Sequence, residues 1–269
     1  MSTNKLLVLA AIAGMTILIG LPIGRLRNPA PRLRAFLNAV AIGVLVFLLF
    51  DVFSHANEPV ERALTNAVDS SGTWARFAGL AAVFALGVAI GLLGLVYFDR
   101  HTSRTGDDDS TGARNRRNPA YRLAFLIALG IGLHNFSEGL AIGQSAANGE
   151  ISLALALIIG FGLHNATEGF GIVAPLAAEG ERPSWAFLGA MGLLGGGPTF
   201  VGTLIGKSFV NDALFLAFLA LAAGSILYVI VQLVKVAVRQ SAADIVMWGI
   251  FTGLVAGFAT DYVLVAAGA

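Results

Sequence analysis

Long apolar stretches alternate with short polar or Pro/Gly-rich breaks along the whole chain. They fall at roughly 5–24, 36–55, 74–98, 121–144, 151–176, 185–206, 212–234 and 242–267. A membrane-spanning helix needs about 20 mostly apolar residues, since each adds about 1.5 Å across a hydrocarbon core of about 30 Å. The pattern therefore predicts eight transmembrane helices. The breaks carry the expected punctuation, Pro29 and Pro31 within Arg25–Arg34 and the Gly180–Pro183 segment among them. Several stretches are rich in glycine and alanine, residues that let membrane helices approach closely. A soluble Ala-rich bundle is the competing reading of those stretches, and their hydropathy disfavours it.

Composition agrees with the pattern. Of 269 residues, 57% are hydrophobic and only 12% charged, with a mean hydropathy of +0.79. Soluble domains carry about 25% charged residues, and a chain of this length cannot hide such an apolar excess in one core. The fold class expected is an all-α membrane protein, one transmembrane domain over residues 1–269. A net charge of +1 gives no field to attract nucleic acid. The absence of cysteine excludes disulfides, thiolate metal sites and thiol catalysis.

Sidedness follows from the basic residues. Arg25, Arg27, Arg32, Arg34, Arg100, Arg104, Arg114, Arg116, Arg117, Arg122, Arg182, Lys235 and Arg239 fall on one side; Lys5, Arg62, Arg76 and Lys207 fall on the other. The positive-inside rule makes the arginine-rich side cytoplasmic and both termini extracytoplasmic, as befits a multi-pass protein of the cell (inner) membrane. Met1–Gly24 imitates a signal peptide, but Leu21-Pro22-Ile23 stands where a small-x-small cleavage site belongs, so it is read as the first span. Residues 99–120, with three consecutive aspartates, read as a flexible cytoplasmic loop. His101 with Asp107, Asp108 and Asp109 is a weak cation-capture candidate beside the plainer reading of a solvated linker.

Spans 4 and 5 carry what a membrane excludes. A central ionisable residue costs roughly 2.5–3.5 kcal/mol on insertion scales, yet span 4 reads Gly132-Leu133-His134-Asn135-Phe136-Ser137-Glu138-Gly139 and span 5 reads Gly162-Leu163-His164-Asn165-Ala166-Thr167-Glu168-Gly169. The pattern G-L-H-N-x-[ST]-E-G recurs at an offset of 30 residues. Histidine and glutamate at i and i+4 share a helix face, and the asparagine borders it. Were the two helices neighbours, two imidazoles, two carboxylates and two carboxamides would converge. Imidazole and carboxylate suit first-row divalent cations such as Zn2+ and Fe2+. Without thiolate, such a site favours exchange over storage. A buried hydrogen-bond network is the bland alternative. An H-E-x-x-H protease is another, but that pattern puts glutamate beside its first histidine, whereas here it stands at i+4 with no separate base.

These residues resemble the ZIP family of divalent metal transporters, most closely its GufA-like prokaryotic branch, over the whole chain. The resemblance implies a pathway among helices 2, 4, 5 and 7, with primary ligands His134, Glu138, His164 and Glu168. Asn135 and Asn165 match positions facing a second, adjacent metal in relatives that hold two. Less firmly, Asp51-Val52-Phe53-Ser54-His55-Ala56-Asn57-Glu58-Pro59 looks like the family's span 2 ending, so Asp51 with His55 would relay an incoming ion. Many relatives have glutamate where Gly197 precedes Pro198, and a carboxylate where Gln232 stands. Asp261 has no partner in the sequence. Pro175 and Pro198 are candidate kinks.

The expected function is transport of divalent transition-metal ions toward the cytoplasm, zinc first, with Fe2+, Mn2+ and Cd2+ behind. No enzymatic activity and no organic cofactor are expected. Partners would be the lipid bilayer, the ion itself and a second copy in a homodimer. Competing functions are a proton-coupled organic-solute carrier, using the His/Glu pairs as a relay, and a metal sensor without flux.

Overall fold

The computed structural model describes residues 2–25, 31–104, 118–208, 211–240 and 243–266. They form eight helices long and apolar enough to cross a membrane, and no strand is found among the described residues. The first span, α1 (Thr3–Arg25), is α-helical over Thr3–Met15, continues as a turn over Ile17–Gly20 and tightens to a 3-10 turn over Leu21–Arg25. Then follow α2 (Pro31–Val68), α3 (Trp74–Arg104), α4 (Pro119–Ala147), α5 (Ile151–Ala178), α6 (Trp185–Ser208), α7 (Asp212–Gln240) and α8 (Ala243–Ala266). The break in α1 has a local cause. The Thr16 hydroxyl lies 2.7 Å from the Ala13 carbonyl and 2.6 Å from that of Gly162 on α5, a back-bonding arrangement that bends helices.

Helix α4 is the most enclosed span, packed on α5, α6 and α7, while α2 packs on α5, α7 and α8. Helices α3 and α8 are peripheral and turn Leu86, Ile90, Leu93, Phe251 and Val255 outward, as a lipid-facing surface requires. Exposed Trp74, Tyr97, Trp185, Trp248 and Tyr262 lie toward the helix ends, the positions of interfacial aromatic belts. Backbones touch where glycine permits it. A Cβ on Gly139 would overlap the Thr199 carbonyl, and one on Gly202 the Phe136 carbonyl, so α4 and α6 meet main chain to main chain.

The α4–α5 connection sets the site. It comprises only Asn148, Gly149 and Glu150, and Gly149 sits at φ +83°, a left-handed conformation that glycine adopts without strain. So short a link makes the two helices antiparallel neighbours. His134 precedes it by fourteen residues and His164 follows it by fourteen. At 1.5 Å per residue both imidazoles lie about 21 Å below the turn, at one depth.

Two boundaries differ from the sequence reading. Helix α2 does not end near His55 but continues through Pro59 to Val68, 38 residues in all. Its buried Ala56, Val60, Ala63 and Ala67 keep the helical period, and Arg62 pairs with Glu58 on the exposed face. At about 57 Å it exceeds the hydrocarbon thickness by several turns. Helix α3 likewise runs to Arg104, into the expected loop, and Asp99 bonds Arg122 of α4 at 2.9 Å. Residues 105–117, including Asp107, Asp108 and Asp109, lie outside the described residues, and the loop's last residues belong to the start of α4.

Candidate metal centre

Each motif is seated by close packing at a glycine. Gly169 faces the backbone of Gly20 and Leu21, pressing α5 onto α1 beside Glu168. Gly195 of α6 faces Ile17, Ile131 and Ile172, pressing α6 toward α4 and α5 beside Asn135. The polar side chains His134, Asn135, Glu138, His164, Asn165 and Glu168 are all buried.

The network centres on His134. Its Nε2 stands 3.0 Å from Glu138 Oε1 and 3.7 Å from Glu168 Oε1, so one imidazole joins the carboxylates of both helices. The Asn135 amide donates to the Gly195 carbonyl at 3.0 Å and reaches Glu168 Oε2 at 3.5 Å. The hydroxyls of Ser137 and Thr167 donate to the carbonyls of His134 and His164, each at 2.7 Å, a matching local device in the two motifs. His164 stands apart: its ring lies against Phe47 of α2, centroids 5.7 Å apart. Asn165 turns to α1, donating to the Ala13 carbonyl at 3.2 Å, so the two carboxamides do not share a pocket.

Among the described residues no group of three or more histidine, aspartate or glutamate side chains is already arranged to hold an ion. His134 and the carboxylates face one another instead. What the centre does have is unmatched lone pairs. Among the described residues Glu138 Oε2, the His164 ring and the carboxamide oxygens of Asn135 and Asn165 are buried without a hydrogen-bond partner, while Glu138 Oε1 and Glu168 Oε1 face only the His134 imidazole. About 90% of buried polar groups find one, so such a concentration at one depth suits a cation, which needs acceptors and no donors.

The remaining candidates divide. Asp51 is partly exposed, pairs with His55 (Nδ1 to Oδ1 3.4 Å) and lies within electrostatic range of His134 and Asp261. Asp261, which had no partner in the sequence, is thus near enough to Asp51 for the two charges to act on each other. Gln232 lies beside Tyr228, which is within electrostatic range of the Asp99–Arg122 pair. Among the described residues a Cβ on Gly197 would meet Leu193 of its own helix, whereas the glycine of this run that faces α4 and α5 is Gly195. Pro175 and Pro198 lie inside helices that continue through them. Sequence reasoning missed Phe47, although its place four residues before Asp51 put it on the same helix face.

The comparisons with known proteins come down on one side. A search of curated proteins finds no match. The family model described as ZIP zinc transporter matches residues 97–235, just over half the chain, from the end of α3 into α7 and across both motifs. The chain belongs to the ZIP zinc transporter family, whose members are transporters that carry zinc and other divalent metals across membranes.

Proposed function

We propose that this protein takes up divalent transition-metal ions, zinc foremost, toward the cytoplasm, through a centre built from His134, Glu138, His164 and Glu168. The observation that carries the reading is the cluster of buried, hydrogen-bond-poor lone pairs on two adjacent helices at one depth. Two carboxylates balance one divalent charge. Two neutral imidazoles complete a four-ligand set of the kind zinc accepts, with bonds of about 2.0–2.2 Å. An incoming ion would replace the contacts His134 now makes with Glu138 and Glu168, so binding is an exchange of partners and release is its reverse. Protons compete for the same lone pairs, which favours release on acidification. Asp51 and His55 form the extracytoplasmic rim where the ion first sheds water, and the positive-inside rule supports the orientation. Residues 99–120 would then be cytoplasmic.

Zinc uptake into liposomes carrying the purified protein, read by an enclosed metal-sensitive dye, tests this. The reading expects protein-dependent flux that is lost in Glu138→Ala and Glu168→Ala. Zinc binding without flux would favour a sensor. Flux of an organic solute, indifferent to zinc, would favour a proton-coupled carrier.

A further inference from the structure

Phe47 stands on α2 one turn below Asp51, and over that turn the chain passes from partly exposed to buried. The Asp51 side chain is 35% exposed, whereas Phe47 is 4% exposed. The phenyl ring is held from two sides. It lies 5.7 Å from the imidazole of His164 at an interplanar angle of 58°, and 5.0 Å from Phe258 of α8 in an edge-on contact. Gly257 makes the space for it, since a Cβ there would come within 2.5–2.7 Å of Phe47 Cγ, Cδ1 and Cβ. Among the described residues neither ring nitrogen of His164 finds a hydrogen-bond partner. Its orientation is therefore set by packing, and Phe47 is the aromatic ring packed on it.

We infer that Phe47 positions His164 and closes the path between Asp51 and the metal centre. This rests on the transport reading above. A phenyl ring offers a divalent ion no lone pair, so an ion at Asp51 cannot pass it by exchanging one ligand for the next. While the ring is seated, it also holds the imidazole of His164 outside the network formed by His134, Glu138 and Glu168. One displacement of Phe47 from beneath Gly257 then does two things: it uncovers the route from Asp51 and frees His164 to join the other three ligands. Asp51, Phe47, His164 and Gly257 lie on three helices, so the device couples α2, α5 and α8.

The absence of cysteine permits a direct test. A thiol introduced by His164→Cys is challenged with a membrane-impermeant thiol reagent from the Asp51 side of sealed vesicles. With Phe47 in place the thiol should react slowly. Adding Phe47→Ala should speed labelling at least about tenfold, equivalent to about 1.4 kcal/mol in the closed-to-open equilibrium. Phe47→Leu should retain most of the protection. Gly257→Ala, which displaces the ring without removing it, should speed labelling like Phe47→Ala and serves if that variant fails to fold. Equal rates in all four backgrounds would overturn the inference. Zinc flux of the protein with His164 intact is measured alongside; no flux with ring-dependent labelling would sink the transport reading and leave the role of Phe47 standing.

Discussion

Replacing Glu168 by glutamine removes one negative charge and almost no volume. The side chain is fully buried, 3.7 Å from His134 Nε2 and 3.5 Å from the Asn135 amide. On the proposed reading Glu138 and Glu168 would neutralise one divalent ion, and in Glu168→Gln one positive charge would remain uncompensated in a low-dielectric interior. Removing one partner of a buried charge pair costs about 3–5 kcal/mol. At 1.4 kcal/mol per tenfold, zinc affinity should fall by about two to three and a half orders of magnitude. Isothermal titration of zinc into purified wild type and variant measures the affinity, and the liposome assay measures the flux. Glu181→Gln, which alters a carboxylate bonded to Asn118 away from the centre, controls for general handling of charge changes. Zinc affinity in Glu168→Gln within about threefold of wild type, or about 0.7 kcal/mol, would refute the charge argument.

Acid should weaken binding. Protons compete with the ion for the imidazole nitrogens and carboxylate oxygens, so zinc affinity should be lower at pH 5.5 than at pH 7.5, and titrations at the two pH values will show it. Cysteines placed at Thr65 and Ser110 should label from opposite sides of the membrane; labelling of both from outside intact cells would break the eight-span orientation. Asn135→Asp, which adds a third carboxylate beside Glu168, should raise occupancy of a second ion, counted by elemental analysis of dialysed protein. Gly197→Glu should not, because that position faces away from α4 and α5.

The span pattern and the paired motifs were legible because both are local. Twenty apolar residues must be a helix in lipid, and i,i+4 spacing puts a histidine and a glutamate on one face whatever surrounds them. The equal depth of His134 and His164 was also within reach, since a three-residue link between two periodic stretches fixes it. What one helix could not reveal was its rotation against its neighbours. Nothing in Asn135 and Asn165 themselves says that the first turns to Glu168 and the second to the Ala13 carbonyl. The same holds for α6: nothing in the run Gly195-Gly196-Gly197 itself says which glycine faces α4 and α5. The overlong α2 was obscured by Pro59, which reads as a helix end but is tolerated within a helix. Phe47 went unnoticed because one apolar residue in an apolar run has no signature until its neighbours are known.

The central claim is that one ion is held between the motifs of α4 and α5. Anomalous diffraction at the zinc edge from crystals grown with zinc locates that ion without reference to transport. The account predicts one strong peak per chain, about 2.0–2.2 Å from ligand atoms of His134, Glu138, His164 and Glu168. A peak only at the Asp51–His55 rim, or two strong peaks about 4 Å apart of the kind two-metal sites give, would contradict it.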